Sequence, residues 1–255
     1  SKKRALENLN LQVPVNSIFG FLGHNGAGKT TTIKILAGIC YATEGKANIL
    51  GISVAEKSSR EKIGFLPENP YFYEYLTAKE SLEFYGGLHG LSKKEAQSRS
   101  QSLLAEVGLT SAAQRQVREF SKGMKQRLGL AQAMIHDPEV YILDEPLSGL
   151  DPLGRKEMRE KILSLKKKGK TIFFSSHVLT DVEILCDEVT LLSEGKMVAT
   201  GKLGSLLDRQ VMALEIRAVQ VSESLFHNLS SVYPKIEKKE TSVVIEVKTE
   251  AEAYQ

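Results

Sequence analysis

The chain has 255 residues, of which 42% are hydrophobic and 25% are charged, proportions typical of a soluble globular protein and not of a disordered one. This length accommodates one sizeable core, or one large domain with a small appendage, and two large domains are not expected. Because 34 basic and 31 acidic residues leave a formal net charge of only +3, a dedicated nucleic-acid binder is not expected.

The cysteine content and the hydropathy pattern exclude further kinds of protein. Cys40 and Cys186 are the two cysteines; they are far apart and lack metal-ligand spacing, so neither a disulfide framework nor a zinc site is indicated, and a reducing cytosolic compartment fits best. No run approaches the roughly 18 consecutive apolar residues that span a bilayer, and residues 1–4 are not followed by the apolar core of a signal peptide. If the protein works at a membrane, we expect another chain to cross it.

The first predicted elements surround a glycine-rich loop. Apolar and polar residues alternate over residues 5–13, and residues 18–22 are apolar throughout, which predicts a strand, a turn and a buried strand. After the loop, apolar residues over 31–39 have the spacing of a helix face. Strands are predicted at 47–50 and 63–66.

The next region has a helical pattern, from residue 77 to about residue 107. Two capping boxes, each an N-cap hydroxyl paired with a carboxylate three residues later, mark the starts of two helices. The two pairs are Thr77 with Glu80 and Ser92 with Glu95. With a further helix predicted at about 122–135, we interpret residues 74–136 as a helical subdomain.

Strands and helices then alternate. A strand is predicted at 140–143, a helix at 155–168 that ends before Gly169, a strand at 171–174, and a hairpin over 187–200 that turns at Glu194-Gly195. This alternation predicts an α/β fold with a largely parallel sheet and helices on both faces.

The character of the sequence changes again near residue 208. A short strand is predicted at 214–216, a helix face at 221–232 and a strand at 243–247. We therefore predict a main domain over residues 1–207 and a small α/β appendage over residues 208–255.

The glycine-rich loop carries the first recognisable chemistry. It reads Gly23-His24-Asn25-Gly26-Ala27-Gly28-Lys29-Thr30, the pattern of a phosphate-binding loop between a strand and a helix. Its backbone N–H groups, with that of Thr31, are expected to surround phosphate oxygens at the positive end of the helix. Lys29 is placed to reach the β and γ phosphates, and the Thr30 hydroxyl is placed to bind magnesium.

Two adjacent carboxylates end the strand predicted at 140–143. The carboxyl ends of strands are where ligands bind in open α/β sheets. Asp144 is placed to hold magnesium, and Glu145 is placed to orient or deprotonate an attacking water. Next to a phosphate loop, this pair predicts a nucleoside triphosphatase.

Further short motifs follow in one order. They are Phe120-Ser121-Lys122-Gly123-Met124-Lys125-Gln126-Arg127, Asp144-Glu145-Pro146, Ser148-Gly149-Leu150-Asp151 and His177. Over residues 5–201 the chain resembles the ABC ATPase family. The resemblance implies a P-loop NTPase fold of the ABC type, with a mostly parallel sheet, an N-terminal antiparallel β part and a helical subdomain. It also implies ATP and Mg²⁺ as cofactors.

The resemblance implies roles for residues outside the phosphate loop. Ser121 and Gly123 match the family signature, which contacts the γ-phosphate of ATP held by the opposite subunit. His177 matches the switch histidine that contacts the γ-phosphate, and Asp151 matches the loop that communicates across the dimer.

Two positions depart from the family pattern. Glu68 stands where the family usually has a glutamine that contacts magnesium and the attacking water and relays to the membrane partner. With the segment 69–73 after it, this replacement resembles exporter ATPases that serve ABC-2 type permeases. The aromatic residue on which the family stacks adenine has no counterpart before Phe19. Either an earlier strand is missing from the sequence, or other groups hold the adenine.

The sequence therefore predicts an ATP-binding and ATP-hydrolysing subunit that forms a head-to-tail homodimer or heterodimer and drives export through a separate permease. Its expected location is cytoplasmic, at the inner face of the membrane. One alternative is a soluble ABC-type ATPase acting on DNA or ribosomes, but the coiled-coil insertion, zinc-binding cysteines or second ATPase half of such proteins do not occur in this sequence. A regulatory module without turnover is disfavoured by Lys29, Asp144, Glu145 and His177.

Overall fold

A computed structural model describes residues 4–207, 214–219, 226, 236–239 and 242–247. The chain divides into two compact units, Ser1–Lys202 and Leu203–Gln255, which are described separately. The predicted domain boundary between residues 207 and 208 stays a prediction.

The first unit alternates strands and helices as the sequence predicts. In chain order its elements are β1 (Ile18–Leu22), α1 (Lys29–Leu36), β2 (Asn48–Ile49), β3 (Ile52–Ser53), α2 (Lys57–Glu61), β4 (Ile63–Leu66), α3 (Ala78–Leu88), α4 (Lys93–Glu106), α5 (Lys122–Met134), β5 (Val140–Asp144), α6 (Pro152–Lys167), β6 (Thr171–Ser176), α7 (Leu179–Leu185), β7 (Glu188–Ser193) and β8 (Lys196–Gly201), with 3-10 turns at Thr110–Ala112 and Val117–Glu119.

Six of these strands form one sheet in the order β4-β5-β6-β1-β7-β8. The first five are parallel, and β8 is antiparallel to β7. Strand β6 lies between β5 and β1, with Phe174 opposite both Leu143 and Gly20. Because the strands are parallel, the carboxyl ends of β1, β4, β5 and β6 meet at one edge of the sheet.

The hydrophobic core lies against this sheet and explains why its strands are almost continuously apolar. Phe173 of β6 stacks on Phe19 with ring centroids 6.1 Å apart and contacts Phe21 at 5.2 Å. Phe19, Phe21 and Ile142 are each no more than 1% exposed. Each such side chain contributes about 1.5–3 kcal/mol through burial, which holds the strand ends below the site in place.

Both predicted capping boxes form. The hydroxyl of Thr77 accepts a hydrogen bond from the Glu80 N–H at 3.2 Å, and the Glu80 carboxylate accepts one from the Thr77 N–H at 2.8 Å. Ser92 and Glu95 make the same pair of bonds. These caps satisfy backbone donors that a helix cannot satisfy itself, so α3 and α4 begin where the sequence predicts.

The strand predicted over residues 5–13 is wrong. This segment has no strand conformation, and Asn8 has a φ of 51°, which breaks an extended run. Its alternating side chains pack against the core instead; they are Leu6, Leu9, Leu11 and Val13. The alternation therefore reflects side-chain burial and not pairing with a neighbouring strand.

The antiparallel elements are short. Strands β2 and β3 pair as a two-stranded sheet, with Ile49 opposite Ile52. The hairpin predicted near residue 194 joins β7 to β8, and Glu194 and Gly195 both have positive φ, 49° and 78°, as a tight two-residue hairpin turn requires.

The second unit contains α8 (Leu203–Leu207), β9 (Leu214–Val219), β10 (Ile236–Lys239) and β11 (Ser242–Val247). The three strands that the structure describes in this unit form an antiparallel sheet in the order β10-β11-β9. The strands predicted at 214–216 and 243–247 are confirmed, and β10 was not predicted. The helix predicted over 221–232 lies, apart from residue 226, outside the described residues.

Among the helices that the structure describes, none is both long enough and apolar enough to cross a membrane.

Candidate functional site

The ends of four parallel strands converge on one cleft of about 870 Å³, within the size range of small-ligand sites. The glycine-rich loop follows β1, Glu68 follows β4, Glu145 follows β5 and His177 follows β6. The cleft is lined by Arg4, Ala5, His24, Asn25, Gly26, Gly28, Lys29, Thr30, Thr31, Glu68, Glu145, Ser148, His177, Glu194 and Gly195.

The conformation of the glycine-rich loop depends on its glycines. Gly28 has a φ of 113°, and a Cβ atom there would lie 2.8 Å from the backbone oxygen of Ala5. At Gly23 a Cβ atom would lie 2.6 Å from the backbone oxygen of Leu192. Only glycine fits these positions. The loop ends directly at the first turn of α1, whose free N–H groups and helix dipole favour an anion.

Lys29 occupies the centre of the site. It is 6% exposed, and its Nζ donates a hydrogen bond to the backbone oxygen of Gly23 at 2.6 Å. The same Nζ lies 3.3 Å from Oε1 of Glu145. The ammonium is thus held between the loop and the catalytic carboxylate predicted from the sequence, where it faces any phosphate bound by the loop.

Glu145 joins Lys29 to His177. Its Oε2 lies 2.9 Å from Nδ1 of His177, so Nδ1 carries the proton when the carboxylate accepts this bond. The residue has a φ of 48°, a conformation that L side chains rarely adopt, and its N–H donates to the Ser175 hydroxyl at 2.9 Å. Backbone strain of this kind is typical of functional sites. Lys29 and His177 therefore orient the carboxylate, one at each oxygen, and Ser175 fixes the backbone of the residue.

Asp144 lies beneath the cleft and is 3% exposed. The Ser175 hydroxyl donates to its Oδ1 at 2.7 Å. Burial raises the pKa of Asp144 above its ordinary value, and repulsion from Glu68 adds to this, while Ser175, Lys29 and Thr30 lower it.

The oxygen atoms around Asp144 suit magnesium. Thr30 and Glu68 both interact with Asp144, and the three side chains offer only hard oxygen ligands, which Mg²⁺ prefers. Among the residues that the structure describes, no group of three or more His, Cys, Asp or Glu side chains is arranged to hold a metal. A site of one or two carboxylates completed by substrate phosphates does not need such a group.

Comparison with known proteins agrees with this geometry. Residues 6–148, more than half of the chain, match the family described as ABC transporter. This chain belongs to the ABC transporter family. An uncharacterized ABC transporter ATP-binding protein of Synechocystis sp. is 49% identical over 208 residues, which are 81% of this chain and 59% of that protein. The bacitracin transport ATP-binding protein BcrA of Bacillus licheniformis is 43% identical over 218 residues, 84% of this chain and 70% of BcrA.

A solved structure of the same family is the dimeric ATP-binding cassette MJ0796 in a post-hydrolysis state with ADP and Pi. It is 25% identical, has a TM-score of 0.73 and covers 78% of this chain and 90% of its own. The predicted ABC-type P-loop NTPase fold is confirmed, and the matched region is an ABC ATPase domain that binds ATP. The chain spans about three fifths of the length of the Synechocystis relative.

Not all of the predicted ABC site residues line the cleft. Gly23 and Ala27 belong to the loop but do not line it, and Asp144 lies below it. Three residues lie elsewhere on the chain; they are Ser121, Gly123 and Asp151. Ser121 caps α5 by accepting a hydrogen bond from the Met124 N–H at 3.2 Å. Asp151 caps α6 in the same way through Gly154.

The sequence interpretation missed several residues of this ABC site. Ser175 binds both Asp144 and the backbone of Glu145, but the strand was predicted to end at residue 174. Polar residues directly after an apolar parallel strand were an available signal. Arg4, Ala5 and the hairpin turn at 194–195 also line the cleft, but they belong to no motif and therefore left no signal.

Proposed function

We propose that the protein is the ATP-hydrolysing subunit of an ABC exporter, which works as a head-to-tail dimer and drives a separate membrane permease. The observation that carries this proposal is the cleft itself. It brings the phosphate loop, Glu145 and His177 together, while Ser121 and Gly123, which match the family signature, lie outside it. A signature that is not used within its own chain is available to a second chain.

The site residues have distinct roles in this proposal. The loop 23–30 and Thr31 bind the phosphates through backbone N–H groups, and Lys29 neutralises the charge at the β and γ phosphates. Glu145 orients the attacking water and accepts its proton, and His177 contacts the γ-phosphate. Thr30, Asp144 and Glu68 would hold Mg²⁺, which when bound neutralises phosphate charge.

The exposed end of α5 supports a dimer. Ser121 is exposed and Gly123 is partly exposed at the first turn of this helix, where backbone N–H groups favour an anion. A γ-phosphate held by the loop of a second copy would satisfy these groups. Asp151 is also exposed, at the start of α6, and we assign it to the same contact. MJ0796, which belongs to the same family, is dimeric.

An exposed aromatic surface supports the permease as a partner. After Glu68, the side chains of Tyr71 and Tyr75 are 85% and 67% exposed, and Tyr73 contacts Phe84 with ring centroids 5.4 Å apart. Clustered exposed tyrosines are typical of protein interfaces. Such a partner would place the protein at the cytoplasmic face of the membrane. Export is proposed because of the segment 68–73 and because the relative BcrA is named for bacitracin transport.

The dimer is tested by light scattering in a Glu145→Gln background, which we expect to retain bound ATP. We expect a dimer with ATP and a monomer with ADP. Adding Ser121→Arg should give a monomer with both nucleotides, because it places bulk and charge at the contact. Ser92→Arg is the matched control, since it also removes a serine N-cap but lies on α4; it should leave the ATP dimer intact. Equal masses with ATP and ADP would contradict the dimer.

The partner is tested by affinity purification of the tagged chain from detergent-solubilised cells. We expect a membrane protein with about six spanning segments to copurify, and Tyr71→Ser with Tyr75→Ser to lose it while retaining nucleotide binding. Copurification of ribosomes or DNA instead would favour the soluble alternative.

A further inference from the structure

An ion-pair cluster built on a buried carboxylate joins α6 to α7, and its two arginines are partly exposed. Asp181 lies in the first turn of α7 and is 1% exposed. Its Oδ2 lies 3.0 Å from Nη2 of Arg155, and its Oδ1 lies 3.1 Å from Nη1 of Arg159. Each carboxylate oxygen thus has its own guanidinium partner, and the two arginines lie one turn apart on α6. We call these three residues the Asp181 clamp.

The clamp lies directly behind the catalytic residues. Arg155 and Asp181 line a small cavity of about 10 Å³ together with Glu145 and His177. No residue of the clamp lines the nucleotide cleft, so the clamp does not contact ATP there.

Helices α6 and α7, which the clamp joins, follow the segments that carry Glu145 and His177. Helix α7 begins two residues after His177, and the N–H of Val178 donates to the Ser176 hydroxyl at 2.9 Å. Helix α6 follows the loop that starts at Glu145, whose backbone oxygen accepts from the Ser148 N–H at 2.9 Å. The hydrogen bond between His177 and Glu145 links the two segments at the cleft, and the Asp181 clamp links the helices that follow them. Together these contacts close a ring.

We propose that Asp181 is a positioning residue, which together with Arg155 and Arg159 holds α7 against α6 and so sets the position of His177 relative to Glu145. The proposal rests on the roles of Glu145 and His177 in ATP hydrolysis given above. The burial of Asp181 distinguishes this cluster from the ion pairs whose two members are both exposed. Exposed pairs contribute little, whereas removing one member of a buried pair leaves an uncompensated charge.

The expected consequence is a change in turnover rather than in ATP binding. Asp181→Asn keeps the shape of the side chain but removes the charge that holds both guanidiniums. The start of α7 is then free to shift, and a displacement of a catalytic group by about 1 Å reduces rates by up to a hundredfold. We expect kcat to fall about tenfold while KM for ATP changes less than twofold, because the phosphate loop and Lys29 are on other elements.

A double-mutant cycle with His177→Ala separates positioning from a general structural role. If Asp181 acts through His177, Asp181→Asn should lower kcat less than twofold in the His177→Ala background. A full tenfold reduction in both backgrounds would overturn the proposal, as would an unchanged kcat in the single variant. If His177→Ala itself leaves kcat unchanged, the role proposed for His177 in ATP hydrolysis is wrong. This outcome does not depend on the result for Asp181→Asn.

Two further variants guard against misfolding. Arg159→Gln removes one guanidinium and leaves the pair between Arg155 and Asp181, so it should fold and lower kcat about threefold, again only when His177 is present. Lys166→Gln is the matched control, because it removes an ion pair of the same helix, with exposed Asp187. It should leave kcat and KM unchanged. A loss of kcat in Lys166→Gln equal to that in Arg159→Gln would overturn the proposal.

Discussion

Replacing Glu145 by glutamine tests the arrangement at the centre of the site. The glutamine side chain has the same size as the original one, but it cannot accept a proton at neutral pH and no longer attracts the ammonium of Lys29. Two opposite effects follow. The proton acceptor for the attacking water is lost, which should slow hydrolysis, and the competing partner of Lys29 is lost, which should favour phosphate binding.

The size of both effects, on ATP binding and on turnover, can be estimated from the structure. Lys29 and Glu145 are 3.3 Å apart with 6% and 10% of their side chains exposed, so solvent screens the pair poorly. Their gross attraction is about 5 kcal/mol at an effective dielectric constant of 20. If solvation offsets most of it, a residual of about 1.4 kcal/mol still corresponds to tenfold tighter ATP binding. Loss of a general base lowers turnover by about a hundredfold or more.

The assay combines steady-state ATP hydrolysis with equilibrium titration of ATP. We expect Glu145→Gln to lose turnover by at least a hundredfold while its Kd for ATP is unchanged or up to tenfold lower. Glu139→Gln is the matched control, since Glu139 precedes the opposite end of β5 and pairs with exposed Lys62 at 2.7 Å; both constants should equal those of the parent. Turnover at the parent rate in Glu145→Gln would refute the general-base assignment, and weaker ATP binding would refute the competition between Glu145 and the phosphates.

Two further predictions concern charge. Glu68→Gln should preserve ATP binding but raise the Mg²⁺ concentration needed for half-maximal turnover a few-fold, because one negative charge leaves the metal's surroundings; a magnesium titration identical to that of the parent would place Glu68 outside the metal shell. Burial, with repulsion from stacked His89, lowers the pKa of His136 to about 4. Because the unfolded imidazole titrates near about 6.5, protonation of the unfolded state should remove about 1–2 kcal/mol of stability between about pH 6.5 and 4, allowing for partial exposure. Denaturant unfolding at both pH values should show a smaller loss in His136→Gln, and equal losses would contradict the assignment.

Local patterns predicted most of the fold because the relevant interactions are short in sequence. The capping boxes at Thr77 and Ser92 need only residues three positions apart, and the phosphate loop is one continuous segment between β1 and α1. The carboxylates of Asp144 and Glu145 follow an apolar strand directly. In contrast, the alternation over residues 5–13 suggested a strand wrongly, because periodicity reports which side chains are buried and not whether a partner strand is present.

The sequence by itself determined the elements and the groups that carry the chemistry, since a phosphate loop, a pair of carboxylates and a histidine are each defined by their immediate neighbours. The tertiary structure alone decided which of these groups meet. Glu145 contacts both Lys29 and His177 only because β5, β6 and β1 lie side by side and parallel in one sheet, and strand order depends on long-range packing that no local pattern encodes. The same holds for the Asp181 clamp. Arg159 and Arg155 precede Asp181 by 22 and 26 residues in the sequence, and two helices packed beside one sheet bring them together.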